Sequence, residues 1–187
     1  MTKRIILAVS GSISAYKSAD LTSKLKKKGY DIHVIMTEAA QAFIPPLTLQ
    51  VLSKNPVHTD IMEEKLAERI NHIDLAKETD LFIVAPASAN TIAKLAHGMA
   101  DNMLTATALA LPSTTPKLIA PAMNTKMYEN PLTKKNLKTL QEVGYQEILP
   151  KSGLLACGDT GRGALADIAV IIEAIDSALT RKGVYDE

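Results

Sequence analysis

The chain has 187 residues, of which 47% are hydrophobic and 22% charged, and its formal net charge is +1. These values are ordinary for a soluble globular protein and predict one domain over residues 1–187. A near-neutral charge gives no electrostatic basis for binding nucleic acid or a membrane surface. The single cysteine excludes an internal disulfide, and the apolar run near the N-terminus is shorter than a signal or membrane segment, so we expect a cytoplasmic protein.

The first part of the chain predicts a strand at residues 4–10, a helix at 15–28 and a strand at 31–36. Doubly wound folds hold phosphate at such a strand, Gly-Ser loop and helix, here Gly11, Ser12 and Ile13, but the dinucleotide pattern G-x-G-x-x-G is absent. Thr37 follows the second strand, where dinucleotide sites usually have an acidic residue, and a hydroxyl suits a phosphate. Because Glu38 comes next, both a mononucleotide site and a βαβ unit without ligand remain open.

A second stretch joins the first to the centre of the chain. We expect a helical turn at residues 37–43 that Pro45 and Pro46 break, then a short helix through residue 52, and a polar segment at 54–70 with His58 at the surface. His72 is placed in a loop just before the next strand. Histidine, with an unperturbed pKa of about 6.5, is a usable base, although a lone histidine is more often structural.

The central stretch passes from a strand to a turn of small residues and then to a helix. Residues 81–85 are an apolar run typical of a buried parallel strand, which we expect to stop at Pro86. Ala87, Ser88 and Ala89 are small enough for a flat ligand to approach the backbone. Asn90 and Thr91 add an amide and a hydroxyl at the start of the helix, where an anionic ligand edge is favoured. A capped turn without a ligand is the alternative.

The remaining elements continue the alternation of strands and helices. We expect helices at residues 90–97, with His97 as C-cap, at 101–111, at 130–143 and at 166–182, and strands at 117–121 and 146–149. The small residues 105–108 permit close helix packing, within the chain or between subunits. Asn124 follows the strand at 117–121, at the sheet edge where ligands bind. Residues 151–163 surround Cys157 with four glycines and predict an irregular, lid-like loop.

Four or five strands that alternate with helices predict an α/β fold with a three-layer, doubly wound parallel sheet. The spacing of the units is typical of flavodoxin-like and Rossmann-like architectures.

Four motifs together resemble one family, the homo-oligomeric flavin-containing cysteine decarboxylases, over nearly the whole chain. Residues 86–91 read PASANT, and residues 121–128 resemble the motif P-x-M-N-x-x-M-W with Tyr128 in place of tryptophan. Asn71 and His72 match the active-site histidine of the family. Cys157, within Ala-Cys-Gly, matches the cysteine of the branch that acts on 4′-phosphopantothenoylcysteine.

The resemblance implies FMN as the cofactor and no metal. Gly11, Ser12, Ile13 and Thr37 would lie near the phosphate end, and Ser88, Ala89, Asn90 and Thr91 near the ribityl chain and ring. The trimers of the family, some assembled into dodecamers, place the site at a subunit interface. Because the chain ends at Glu187, we expect a free-standing decarboxylase with, at most, a separate synthetase as partner.

The implied activity converts 4′-phosphopantothenoylcysteine to 4′-phosphopantetheine in coenzyme A biosynthesis. Oxidation of the CH2SH arm to a thioaldehyde creates an electron sink, CO2 leaves to give an enethiolate, and re-reduction gives the saturated thiol. His72 would act as base or orienting group, Asn124 would hold the carboxylate and amide beside Met127, and Cys157 would donate a proton. The alternatives are a peptidyl-cysteine oxidative decarboxylase, a flavin prenyltransferase and a non-catalytic FMN-binding regulatory subunit.

Overall fold

A computed structural model describes residues 2–63, 71–154 and 160–185, and these form a parallel sheet between two layers of helices. The sheet strands are β1 (Arg4–Val9), β2 (Asp31–Met36), β3 (Val57–His58), β4 (Leu81–Ala87), β5 (Lys117–Pro121) and β6 (Tyr145–Glu147). Their order is β3-β2-β1-β4-β5-β6, and every neighbouring pair is parallel. This is the Rossmann order, and without the two-residue β3 it becomes the flavodoxin-like order. The predicted three-layer fold is confirmed.

The helices cover both faces of the sheet. They are α1 (Lys17–Lys27), α2 (Glu38–Gln41), α3 (Pro46–Ser53), α4 (Asn71–Glu78), α5 (Ala89–Ala96), α6 (Met103–Leu109), α7 (Thr125–Glu129), α8 (Pro131–Glu142) and α9 (Ile168–Tyr185). A 3-10 turn, Ile13–Tyr16, precedes α1, and an antiparallel hairpin of β7 (Lys151–Leu154) and β8 (Thr160–Ala164) precedes α9. Within the described ranges, no helix combines the length and the apolar character that crossing a bilayer requires.

Successive side chains of each strand point to opposite faces of the sheet, and they form two hydrophobic cores, one on each face. Ile5 and Leu7 of β1 belong to the core beneath α1 and α9, whereas Ile6 belongs to the core beneath α5, α6 and α8. All three side chains are fully buried. Each such burial contributes about 1.5–3 kcal/mol, so these strands hold the carboxyl edge of the sheet in place.

Strand β4 continues through Pro86 to Ala87, so the prediction that it stops at Pro86 is wrong. The ladder between β4 and β5 shifts register between Val84 and Ala87, and the missing N–H of the proline falls within this irregularity. The proline carbonyl is used, because it accepts hydrogen bonds from Ser10. The strand therefore carries its backbone further toward the carboxyl edge than the sequence predicts.

Three other predictions of local structure are wrong. His58 lies in the half-buried edge strand β3, which raises the number of sheet strands to six, and a two-residue strand has no detectable period. His72 lies in the first turn of α4 and not in a loop. The ends of the 151–163 segment form the β7–β8 hairpin, because glycine is tolerated where strands run close to other backbone. Residues 155–159 lie outside the described part.

The small-residue segment 105–108 is buried within the chain itself. It belongs to α6, which begins at an Asn102 N-cap and packs against α4 and α5. His97 caps the end of α5 as predicted, with its ring nitrogen Nδ1 2.8 Å from the Ala93 carbonyl.

Candidate active site

The carboxyl ends of β1 and β4 meet at the switch point of the sheet, where the strand order reverses. Ser10 follows β1 and is fully buried. Its Oγ donates a hydrogen bond to the Pro86 carbonyl at 2.8 Å and accepts one from the Ser88 N–H, also at 2.8 Å. The two turns that carry the predicted ligand residues are therefore joined directly by one side chain.

Two adjoining pockets open at this point. The first, of about 460 Å3, we call the Asn124 pocket; it is lined by Gly11, Ser12, Ile13, Ser14, Tyr16, Lys17, Ser88, Ala89, Ala122, Met123, Asn124, Met127, Gly163 and Ala164. The second, of about 510 Å3, we call the Thr37 pocket; it is lined by Gly11, Thr37, Glu38, Ala39, Ser88, Ala89, Asn90, Thr91, Lys94, Asp101, Asn102 and Met127. Because four residues line both pockets, together they form one continuous groove.

Of the predicted site residues that the structure describes, all except His72 line this groove. The distribution of these residues between the two pockets differs in one respect from the expected phosphate and ring ends. Thr37 shares its pocket with Asn90 and Thr91, whereas Ser12 and Ile13 lie in the Asn124 pocket. Gly11, Ser88 and Ala89 lie between the two groups.

Capping hydrogen bonds fix the helix starts that border the Thr37 pocket. Ser88 is the N-cap of α5, and its Oγ accepts the Thr91 N–H at 3.2 Å. Thr37 caps α2 in the same way, with its Oγ1 3.2 Å from the Ala40 nitrogen. Such caps hold the hydroxyl-bearing residues in defined positions, and the α5 N-terminus adds a positive dipole end.

The loop after β5 forms the far wall of the Asn124 pocket. Asn124 is the N-cap of α7, and its Oδ1 accepts the Lys126 N–H at 2.8 Å. The Met123 N–H donates to the Gly163 carbonyl at 2.9 Å, which ties the loop to β8. A Cβ at Gly163 would lie 2.3 Å from the Met123 carbonyl oxygen, so the close approach requires glycine. The sequence signals this contact only as an unusual density of glycines.

Among the described residues that line the Asn124 pocket, Lys17 is the one with a charged side chain. Its ammonium lies 6.0 Å from the centroid of the Tyr16 ring. Two acidic residues, Asp20 and Asp167, share a smaller adjoining cleft with Lys17, and they form ion pairs with Lys24 and Lys151 respectively. The hydrogen bond from Lys151 and, to a smaller extent, the charge of Lys17 lower the pKa of the Asp167 carboxyl. The pocket therefore presents a cation to an anionic ligand.

The Thr37 pocket has a different charge balance. Lys94 and Asp101 form an ion pair of 2.5 Å in its wall, and the hydrogen bond from Lys94 lowers the pKa of the Asp101 carboxyl. Since Glu38 is also part of the lining, the side-chain hydroxyls and amide and the start of α5 are the groups suited to an anion here.

Tyr128 packs away from the groove and holds α7 against β6. Its side chain is 2% exposed, and its hydroxyl donates to Glu147 Oε1 at 2.8 Å. Burial and this hydrogen bond raise the pKa of the Tyr128 phenol. The Lys134 ammonium lies 3.4 Å from the centroid of its ring. The aromatic residue of the motif is thus part of the core beside β6.

The structure does not place His72 in the groove of its own chain. His72 lies in α4, and its Nδ1 is buried without a hydrogen-bond partner among the described residues. Cys157 lies outside the described residues. Both assignments therefore remain predictions.

A larger cleft, of about 870 Å3, lies at the opposite, amino edge of the sheet. Its charged side chains form ion pairs with other charged side chains. Arg4 pairs with Asp31 and Glu78, and Lys3 bonds Asp80 at 3.2 Å. This cleft is therefore a network of ion pairs that stabilises the strand ends, and the groove is the candidate site.

A parallel sheet with a small-residue groove at its switch point defines an α/β protein that binds a ligand at the carboxyl ends of its strands. Residues 1–180 match the family model described as Flavoprotein. The chain belongs to this family, and membership indicates a flavin cofactor.

Relatives and solved structures agree with this assignment. The chain is 63% identical over 179 residues to a probable phosphopantothenoylcysteine decarboxylase of Streptococcus mutans, covering 96% of this chain and all of the relative. It is 34% identical, with a TM-score of 0.86, to a cysteine-to-serine mutant of PPC decarboxylase complexed with pantothenoylaminoethenethiol, covering 94% and 97% of the two chains. The FMN-dependent cysteine decarboxylase SpaF matches at 32% identity and a TM-score of 0.84, covering 97% of each chain.

Other relatives are longer than this chain. The coenzyme A biosynthesis bifunctional protein CoaBC of Bacillus subtilis is 49% identical over 171 residues, which cover 91% of this chain but 42% of the relative. The chain therefore spans less than half the length of this bifunctional protein.

Proposed function

We propose that this protein decarboxylates 4′-phosphopantothenoylcysteine to 4′-phosphopantetheine with FMN, in coenzyme A biosynthesis. The observation that carries the proposal is the groove, which brings Asn124 and Met127 of one motif to Ser88 and Ala89 of another. The full-length likeness to the streptococcal relative supports the choice of substrate.

The groove suits FMN by the chemistry of its lining. Ser12, Thr37, Ser88, Asn90 and Thr91 offer hydroxyls and an amide that would hold the phosphate and ribityl groups. Gly11 and Ala89 lack bulk and leave room for a flat ring. When bound, FMN would take up and return two electrons at the CH2SH arm of the substrate, which supplies the sink that decarboxylation needs.

Substrate binding falls to the Asn124 pocket. The Lys126 N–H holds the Oδ1 of Asn124 at 2.8 Å, and this bond fixes the plane of the side-chain amide. We assign that amide to the carboxylate and amide of the substrate. Met127 lines the same pocket, and Lys17, a cation in its lining, matches the phosphate at the other end of the substrate.

The proton chemistry is assigned to His72 and Cys157. Cys157 donates the proton that completes the saturated thiol. Because His72 lines neither pocket of its own chain, we assign it to the groove of a neighbouring subunit in a homo-oligomer, a trimer or a dodecamer built from trimers. The single domain then works in the cytoplasm on a substrate made by a separate synthetase.

The test is the mass of the product after the purified flavin-loaded protein is incubated with 4′-phosphopantothenoylcysteine. The proposal predicts loss of CO2 alone, with the flavin oxidised at the end. Loss of CO2 and two hydrogens would indicate an oxidative decarboxylase and contradict the role of Cys157. Absence of any product would overturn the proposed function.

A further inference from the structure

Within the described part of the chain, the Ser10 side chain bonds the end of β1 to the turn after β4. Its Oγ donates to the Pro86 carbonyl and accepts from the Ser88 N–H, both at 2.8 Å, across sequence separations of 76 and 78 residues. Its own N–H also donates to the Pro86 carbonyl, at 3.2 Å. Ser10 itself is fully buried and does not line the groove.

The turn that Ser10 holds contains residues that line both pockets. Ser88 and Ala89 line the Asn124 pocket and the Thr37 pocket, and Ser88 also caps α5. Gly11, which follows Ser10 directly, lines both pockets from the other side. The Ser10 hydroxyl thus joins the two turns whose residues line both pockets.

We propose that Ser10 is a positioning residue for flavin binding: its hydroxyl fixes the Ser88–Ala89 turn against the Gly11 turn, so that the groove is formed before the ligand arrives. The proposal rests on the proposed function only in taking a flavin as the ligand. The hydroxyl is needed both as donor and as acceptor, and alanine can supply neither.

The buried hydroxyl of Ser18, in the same region, makes a hydrogen bond that is local in the chain. Ser18 is 1% exposed, and its Oγ donates to the Ala15 carbonyl at 2.6 Å, one turn earlier in the chain. Ser18 and Ala15 line neither pocket. Ser18→Ala is therefore a matched control, because it deletes a buried serine hydroxyl without touching the groove.

The experiment compares Ser10→Ala with Ser18→Ala in the full-length protein. FMN is removed and added back, its dissociation constant is measured by fluorescence, and hydrogen exchange reports protection of the Ser88 amide. We expect Ser10→Ala to bind FMN about tenfold more weakly and to lose the protection, since the half-buried Ser88 N–H has lost its acceptor. Ser18→Ala should keep both. If Ser10→Ala does not fold, Ser10→Cys replaces it, with a weaker effect in the same direction.

The outcomes separate this proposal from the proposed function. Equal FMN dissociation constants and equal Ser88 protection in the Ser10 and Ser18 variants would overturn the positioning role while leaving the decarboxylase standing. A wild-type protein that binds FMN but does not decarboxylate the substrate would overturn the function, and the comparison of dissociation constants would still decide the role of Ser10.

Discussion

Gly163 is where the β8 strand touches the loop that carries Asn124, and Gly163→Ala is the substitution that most directly disturbs this contact. The new Cβ would lie 2.3 Å from the Met123 carbonyl oxygen and 3.3 Å from the Thr125 nitrogen. Both atoms belong to backbone, which cannot rotate out of the way. The strand must move outward, and the 2.9 Å hydrogen bond from the Met123 N–H to the Gly163 carbonyl is then lost.

The size of the effect follows from these contacts. A lost hydrogen bond costs about 0.5–1.5 kcal/mol, and an unsatisfied buried group raises this to about 1–3 kcal/mol. We therefore expect the free energy of unfolding to fall by about 2 kcal/mol. Turnover should fall further, by about 100-fold, because a displacement of roughly 1 Å at a positioning loop has effects of that order.

Gly153→Ala provides the control in the same hairpin. A Cβ at Gly153 meets nothing within 4 Å, so stability should stay within about 0.5 kcal/mol of the wild type. Gly161→Ala should be intermediate, because its Cβ would meet the Thr125 side chain, which can rotate. Urea unfolding and steady-state turnover measure both quantities. If Gly163→Ala matched Gly153→Ala in both, the argument from close backbone packing would be refuted.

Four further predictions concern individual site residues. Lys17→Gln should raise KM about tenfold for the phosphorylated substrate and leave KM unchanged for the dephosphorylated analogue; equal effects on both would remove Lys17 from phosphate binding. Tyr128→Phe should lose about 1 kcal/mol of unfolding free energy with the Glu147 hydrogen bond, and turnover per folded molecule should stay the same; a large loss of turnover would place the hydroxyl in the reaction. Cys157→Ser should release CO2 but give a product two hydrogens short by mass spectrometry, and a saturated product would exclude the cysteine as proton donor. The variants His72→Asn and Asn124→Asp should each be inactive alone. If His72 acts in the groove of a neighbouring subunit, oligomers refolded from a mixture of both variants should regain activity; no recovery would mean that His72 acts within its own chain.

Local patterns predict the strands of the sheet well where burial is complete. The apolar runs of β2 and β5 give their bounds correctly, because strands buried on both faces read as continuous hydrophobic segments. Strand β3 has two residues and therefore no period, and α4 is short and polar enough to be taken for a loop. Strand β4 continues past the predicted end at Pro86 because of a register shift, and such a shift cannot be predicted from one strand alone.

The motif residues of the groove could be predicted, whereas the contacts that organise it could not. Ser88 and Asn124 stand out by their place after apolar strands. Ser10 does not, because its significance lies in hydrogen bonds to residues more than 70 positions away. The approach of Gly163 to Met123 is likewise a tertiary contact that a local glycine pattern leaves unassigned.

The central claim is that flavin and substrate share the groove at the switch point of the sheet. A crystal structure of Cys157→Ser with FMN and substrate tests it most directly. The account predicts the flavin between Gly11 and the Ser88–Ala89 turn, with the Asn124 amide in hydrogen-bond contact with the substrate. Flavin bound at any other edge of the sheet, or a substrate out of reach of Asn124, would contradict it.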